Sequence, residues 1–151
     1  MKTILVPVDF SDVTPQVLSV ASSMAAAFGS RLVIIYIVEP EPDFVGFEPG
    51  PPSVRLGVAR DLKTERQRLE TMKDRLIAEG REAIAFTMQG SAVEKILGEA
   101  RARNAGLIVM GSHGHGALYE LLIGSVTQGV MKEAHCPVVI VPSKEARKPS
   151  Q

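Results

Sequence analysis

The 151-residue sequence has a single cysteine, Cys136, so no disulfide can form within the chain. That excludes a cross-linked secreted scaffold and fits a reducing compartment. Net charge is absent too: lysine plus arginine number 17, and aspartate plus glutamate number 17. A balanced chain has no global electrostatic footprint for nucleic acid or an anionic membrane, so neither is expected as a partner. Long apolar runs are also missing. The densest, Leu32 to Val38, is seven residues, whereas a membrane span needs about 20. The apolar run that opens the chain is short and interrupted by Pro7 and Asp9. No targeting segment is read there, and the cytoplasm is the expected location.

What is present is a globular composition, 45% hydrophobic and 23% charged, in a length typical of one domain. A chain of this size buries roughly 70% of the surface its unfolded form exposes, enough for a core without cross-links. Residues 1–143 are read as that domain, and the polar residues 144–151 as a disordered tail.

Five apolar segments read as strands: 3–8, 31–38, 82–89, 107–110 and 138–141. Helical patterns lie between them. Thr14-Pro15 reads as an N-cap followed by proline at the first helical position, and Gly29 as the stop. A charged helix is expected from about Val58 to Glu79, ended by Gly80. Ser91 and Glu94 have capping-box spacing. Residues 39–57, rich in proline and glycine, read as an irregular surface insertion whose Phe44 and Phe47 could cover a ligand or a partner. Strands that are apolar throughout, alternating with helices, predict a parallel sheet covered on both faces, a doubly wound α/β fold.

The chemistry concentrates after the fourth strand, in Gly111-Ser112-His113-Gly114-His115-Gly116 and then Gly124-Ser125-Val126-Thr127. Three glycines in six residues let the backbone turn tightly, approach a ligand and point its amides inward as an anion nest. Gly124-Ser125 lies where the last helix starts, and a helix N-terminus favours phosphate. Ser125 and Thr127 are expected to add hydroxyl donors. The known phosphate loops do not fit. Ala117-Leu118 stand where a P-loop needs lysine and a hydroxyl, and no Gly-x-Gly-x-x-Gly follows the first strand. His113, His115, His135 and Cys136 could be combined into a zinc site. The two pairs fall at opposite ends of a helix roughly 15 Å long, so they are read as loop donors and a packing residue.

The spacing Gly111-x-x-Gly114, nine residues, Gly124-Ser125 resembles the universal stress proteins, specifically their ATP-binding branch. The resemblance runs from Ile4-Leu5-Val6-Pro7-Val8-Asp9-Phe10-Ser11 to Pro137-Val138-Val139-Ile140-Val141. It implies a Rossmann-like sheet of order 3-2-1-4-5, with Asp9 and the glycine loop on opposite lips of one crevice. It further implies that Pro7, Val8, Asp9 and Ile37 line the adenine and ribose end, with Met110 and Gly111 beside the ribose. Gly114, Gly124, Ser125, Val126 and Thr127 would hold the phosphates of ATP, with magnesium or manganese bound through the phosphate oxygens. Where relatives often carry a polar or basic residue, this sequence has Gly129. For Asp9 a local loop cap is the alternative to a ribose contact.

The last strand, Val138-Val139-Ile140-Val141, has no charged residue to block edge pairing. Two-fold strand addition there would give a homodimer, as the resemblance also implies. The resulting expectation is a homodimeric stress-response regulator that binds ATP and acts on a protein partner the sequence does not name. The alternatives are a slow ATP hydrolase or adenylyl-transfer enzyme on the same sheet, and a dimer that binds no nucleotide.

Overall fold

The computed structural model describes residues 1–40, 52–112 and 123–143, without the side chains of 52–59. The elements run β1 (Thr3–Val8), α1 (Thr14–Phe28), β2 (Arg31–Val38), α2 (Pro52–Ala78), β3 (Ala83–Gln89), α3 (Ala92–Ala102), β4 (Leu107–Gly111), α4 (Ser125–Glu133) and β5 (Val138–Val141). All four strand pairings are parallel. The sheet order is β3-β2-β1-β4-β5.

Because side chains alternate along a strand, β1 and β2 feed two cores. Ile4, Val6, Leu32 and Ile34 pack beneath α1 and α2 with Val17, Ala21, Leu69 and Leu76. Leu5, Val33 and Ile35 pack on the other face with Ile96 and Leu97 of α3 and Val130 of α4. All seven of these β1 and β2 side chains are fully buried, and each such burial contributes on the order of 1.5–3 kcal/mol. Continuous apolar strands are what a sheet covered on both faces demands.

Gly29 ends α1 with φ 60, and its amide donates to the Ala25 carbonyl. Gly80, at φ 82, follows α2. A left-handed residue costs glycine nothing.

β3 begins one residue later and β4 ends one residue later than the sequence reading, and larger differences lie in the helices. Thr14 is the first residue of α1, not its cap; Val13 holds the cap position without a side-chain bond, because the Thr14 hydroxyl turns to Asp9. α2 begins at Pro52, so the last residues of the expected loop are helical. Proline is tolerated in a first turn, and a long helix absorbs Gly57. Phe44 and Phe47 lie outside the described residues. The capping box does not form either. Ser91 makes no side-chain cap bond, and the Ala92 amide donates instead to Oε1 of Glu39 at 2.9 Å. A full charge reaching over from the end of β2 thus meets the first amide of the helix, and the Ser91 hydroxyl takes no part in the cap.

Candidate functional site

β1 leads into α1 on one face, whereas β4 leads into α4 on the other. A crevice opens where the chain parts in this way, outside the carboxyl ends of the strands. Pro7, Val8 and Asp9 form one lip, continued by Val13, Thr14 and Val17. Met110, Gly111, Val126 and Thr127 form the other, and Ile37, Ala92 and Ile96 close the side toward β2 and α3. Of the residues implied by the resemblance, Pro7, Val8, Asp9, Ile37, Met110, Gly111, Val126 and Thr127 are thus brought to one crevice. Gly114 lies outside the described residues, as do His113 and His115. Gly124 and Ser125 sit just beyond the lining, as the cap and first residue of α4.

Sequence reasoning missed Val13, Thr14, Val17, Ala92 and Ile96. A signal was available: each belongs to the opening turns of the helix that follows β1 or β3, and those turns lie at the carboxyl edge of a parallel sheet.

Asp9 is half-buried, and its loop holds it by one oxygen. Oδ1 accepts from the Ser11 amide at 3.0 Å, the Ser11 hydroxyl at 2.6 Å and the Thr14 hydroxyl at 3.4 Å. Oδ2 has no hydrogen bond among the described residues. The loop-cap role is therefore real, and it leaves one carboxylate oxygen over.

The opposite lip is tied through its backbone. The Gly124 amide donates to the Ser112 carbonyl at 2.9 Å, and the Ser112 amide to the Val141 carbonyl at 3.0 Å. The hydroxyl of Thr127, a buried residue, donates to the Gly111 carbonyl at 3.0 Å. This corrects the expectation that Thr127 offers a hydroxyl donor: its proton is already spent on holding α4 against the end of β4. The first helical bond of α4 runs from the Gln128 amide to the Gly124 carbonyl, so the amides of Ser125, Val126 and Thr127 precede the ladder.

Three helices begin around the crevice, and their dipoles are not equally compensated. Asp9 stands before α1, and Glu39 caps α3. The first turn of α4 contains no acidic residue. Its partial positive charge has no carboxylate from its own first turn to answer it.

Gly129 faces away from this chemistry. A Cβ there would come within 2.9 Å of Val93 Cγ2, so glycine lets α4 pack closely on α3. Cys136 is half-buried beside the α3–α4 core, and burial pushes its thiol pKa up. His135 is exposed. Among the described residues no group of three His, Cys, Asp or Glu could hold a metal, and no helix is long and apolar enough to cross a membrane.

Fold and site together define a doubly wound α/β protein with a crevice at its switch point. The chain belongs to the Universal stress protein family, whose sequence pattern matches residues 1–142. It is 40% identical over 141 residues to a universal stress protein of Thermus aquaticus, covering 93% of this chain and 98% of that one. Among solved structures it is similar to the protein MJ0577 of Methanocaldococcus jannaschii, at TM-score 0.77 and 27% identity over 95% of this chain and 96% of that one. It is also similar to a universal stress protein solved in complex with cAMP, at TM-score 0.66 and 25% identity over 93% and 96% of the two chains.

Proposed function

We propose that this protein is an ATP-binding member of the family, a homodimeric stress-response regulator in the cytoplasm. The observation that carries the reading is the N-terminus of α4, which opens at the crevice with no acidic residue in its first turn. Phosphate is the chemistry such a terminus favours. The ribose hydroxyls donate to Oδ2 of Asp9, with the base against Pro7, Val8 and Ile37 and the sugar beside Met110 and Gly111. The amides of Ser125, Val126 and Thr127 take the phosphates, together with Gly114 and Gly124. A magnesium or manganese ion accompanies the nucleotide, held by phosphate oxygens, since the described residues offer no carboxylate cage of their own. Its chemistry there is charge neutralisation. The cAMP complex of a neighbour supports an adenine nucleotide as the ligand class.

The homodimer forms through Val138, Val139, Ile140 and Val141, because β5 is an outer strand that pairs, among the described residues, with β4 alone. Nucleotide occupancy then alters a surface that a regulatory protein partner reads.

Titration calorimetry with ATP and AMP, each with and without magnesium, tests the site. Saturable binding that is tighter for ATP is expected. A folded protein that takes up neither nucleotide would end the reading and leave the dimer surface as the object of study. Turnover on the order of one per second or faster would instead favour the enzyme alternative.

A further inference from the structure

Phe10 directly follows Asp9 and has φ 59, a left-handed conformation that a bulky side chain avoids. Such a backbone persists only where its surroundings over-determine it, and it tends to mark functional sites. Phe10 is 8% exposed and belongs to the core on the α1–α2 face, where its ring meets an aromatic and a cation. The ring of Tyr36, near the end of β2, lies 4.7 Å away at a tilt of 48°. The guanidinium of Arg68, from α2, lies 4.5 Å from the Phe10 centroid. On the other side of the same peptide, the Ser11 amide and hydroxyl come round to Oδ1 of Asp9. The ring anchor and the carboxylate turn are therefore two ends of one strained loop.

We infer that Phe10 and Arg68 are positioning residues: the Arg68–Phe10–Tyr36 stack holds the loop in the conformation that fixes Asp9 by one oxygen and leaves the other for a ligand hydroxyl. The ligand half of this statement rests on the nucleotide reading above; the loop half does not. Arg68 belongs to α2, none of whose described side chains lines the crevice. The stack therefore makes the hydroxyl-binding lip sensitive to how α2 sits on the sheet.

The test compares the full-length protein with Arg68→Gln, Arg68→Lys and Phe10→Leu by two readouts. One is amide exchange at Ser11, with Leu5 in β1 as the internal standard. The other is the ratio of affinities for ATP and 2′,3′-dideoxy-ATP. Arg68→Gln should speed Ser11 exchange about two- to fivefold, the size of an exposed cation–π contact, with Leu5 unchanged. Arg68→Lys should restore part of the protection, and Phe10→Leu should lose more. The preference for the ribonucleotide should fall by a similar factor in the same order. Wild-type Ser11 exchange in both Arg68→Gln and Phe10→Leu overturns the inference, whatever the nucleotides do. Faster Ser11 exchange in a protein whose wild type binds both nucleotides alike upholds the positioning and removes only the ribose contact of Asp9.

Discussion

The two lips of the crevice are built on opposite plans. The β1 lip presents a side chain, the Asp9 carboxylate, pinned at one oxygen by two donors from Ser11 of its own loop and one from Thr14 at the start of α1. The β4 lip presents backbone, and what fixes it is the Thr127 hydroxyl on Gly111 and the Gly124 amide on Ser112. A lip made of a side chain fails when that side chain is changed. A lip made of backbone tolerates changes in what it displays and fails when its ties are cut.

The largest expected effect is at Asp9. Ser11 is 6% exposed and Thr14 2%, so removing their acceptor strands buried donors. Asp9→Ala should cost about 1–3 kcal/mol, read from urea denaturation. Asp9→Asn keeps a carbonyl oxygen for the same donors and should recover most of that stability, but not the full affinity for a ribose. An alanine variant as stable as the wild type would mean that the carboxylate is not structural, and the contrast between the lips would collapse.

Thr127→Val probes the other lip. It removes the bond to Gly111 from a buried position and should cost about 1 kcal/mol, with Thr127→Ser close to wild type. Phosphate affinity should fall with it, although the Thr127 hydroxyl proton is not itself free to reach a phosphate. A valine variant with unchanged nucleotide binding would show that α4 stays in place without this tie.

How much of this was legible beforehand follows the same division. β1 and β2 were legible to the residue, because strands buried on both faces must be apolar at every position. Asp9, Gly111 and Thr127 were implied by the resemblance, and the fold brings all three to one crevice at the carboxyl edge of a parallel sheet. The contacts that hold them were not legible. The acceptor for the Ala92 amide at the α3 terminus is Glu39, a residue 53 positions away, and no local pattern could have pointed to it. Phe10 was only one residue of the stretch that carries the resemblance; its conformation depends on Arg68 and Tyr36, which reach it only once α2 and β2 are packed.

Gly129 sharpens the backbone side of the comparison. Alanine is favoured over glycine within a helix by about 1 kcal/mol, yet a Cβ here would press on Val93. Overpacking of this kind costs about 1–3 kcal/mol. Gly129→Ala should therefore destabilise the wild type by roughly 1 kcal/mol. In a Val93→Ala background it should stabilise. Denaturation of the two singles and the double gives the coupling directly. Additive effects would mean that α3 and α4 are not in close contact, and that glycine stands there for another reason.

The smallest effect separates the lips by pH. Burial raises the Tyr36 hydroxyl from 10.0 to about 12, helped by the Glu65 carboxylate beside it and by the charge of Asp9, with Arg68 acting the other way. A folded pKa above the unfolded one means that the native state keeps its proton longer. The stabilisation is complete below about pH 10 and is lost as the pH rises through about 12. The magnitude is small because Tyr36 is only partly buried and its neighbours are screened by water. Gly111, Val126 and Thr127, the described residues of the β4 lip beside Met110, carry no titrating side chain, so the Tyr36 dependence reports on the β1 side. Urea midpoints of the wild type and Tyr36→Phe across that window should converge as the pH rises, because only the wild type has a proton to lose there. Parallel curves would mean that the hydroxyl behind Phe10 is no drier than a free one, and that the Asp9 loop rests on a more solvated support than the packing of Tyr36 against Phe10 implies.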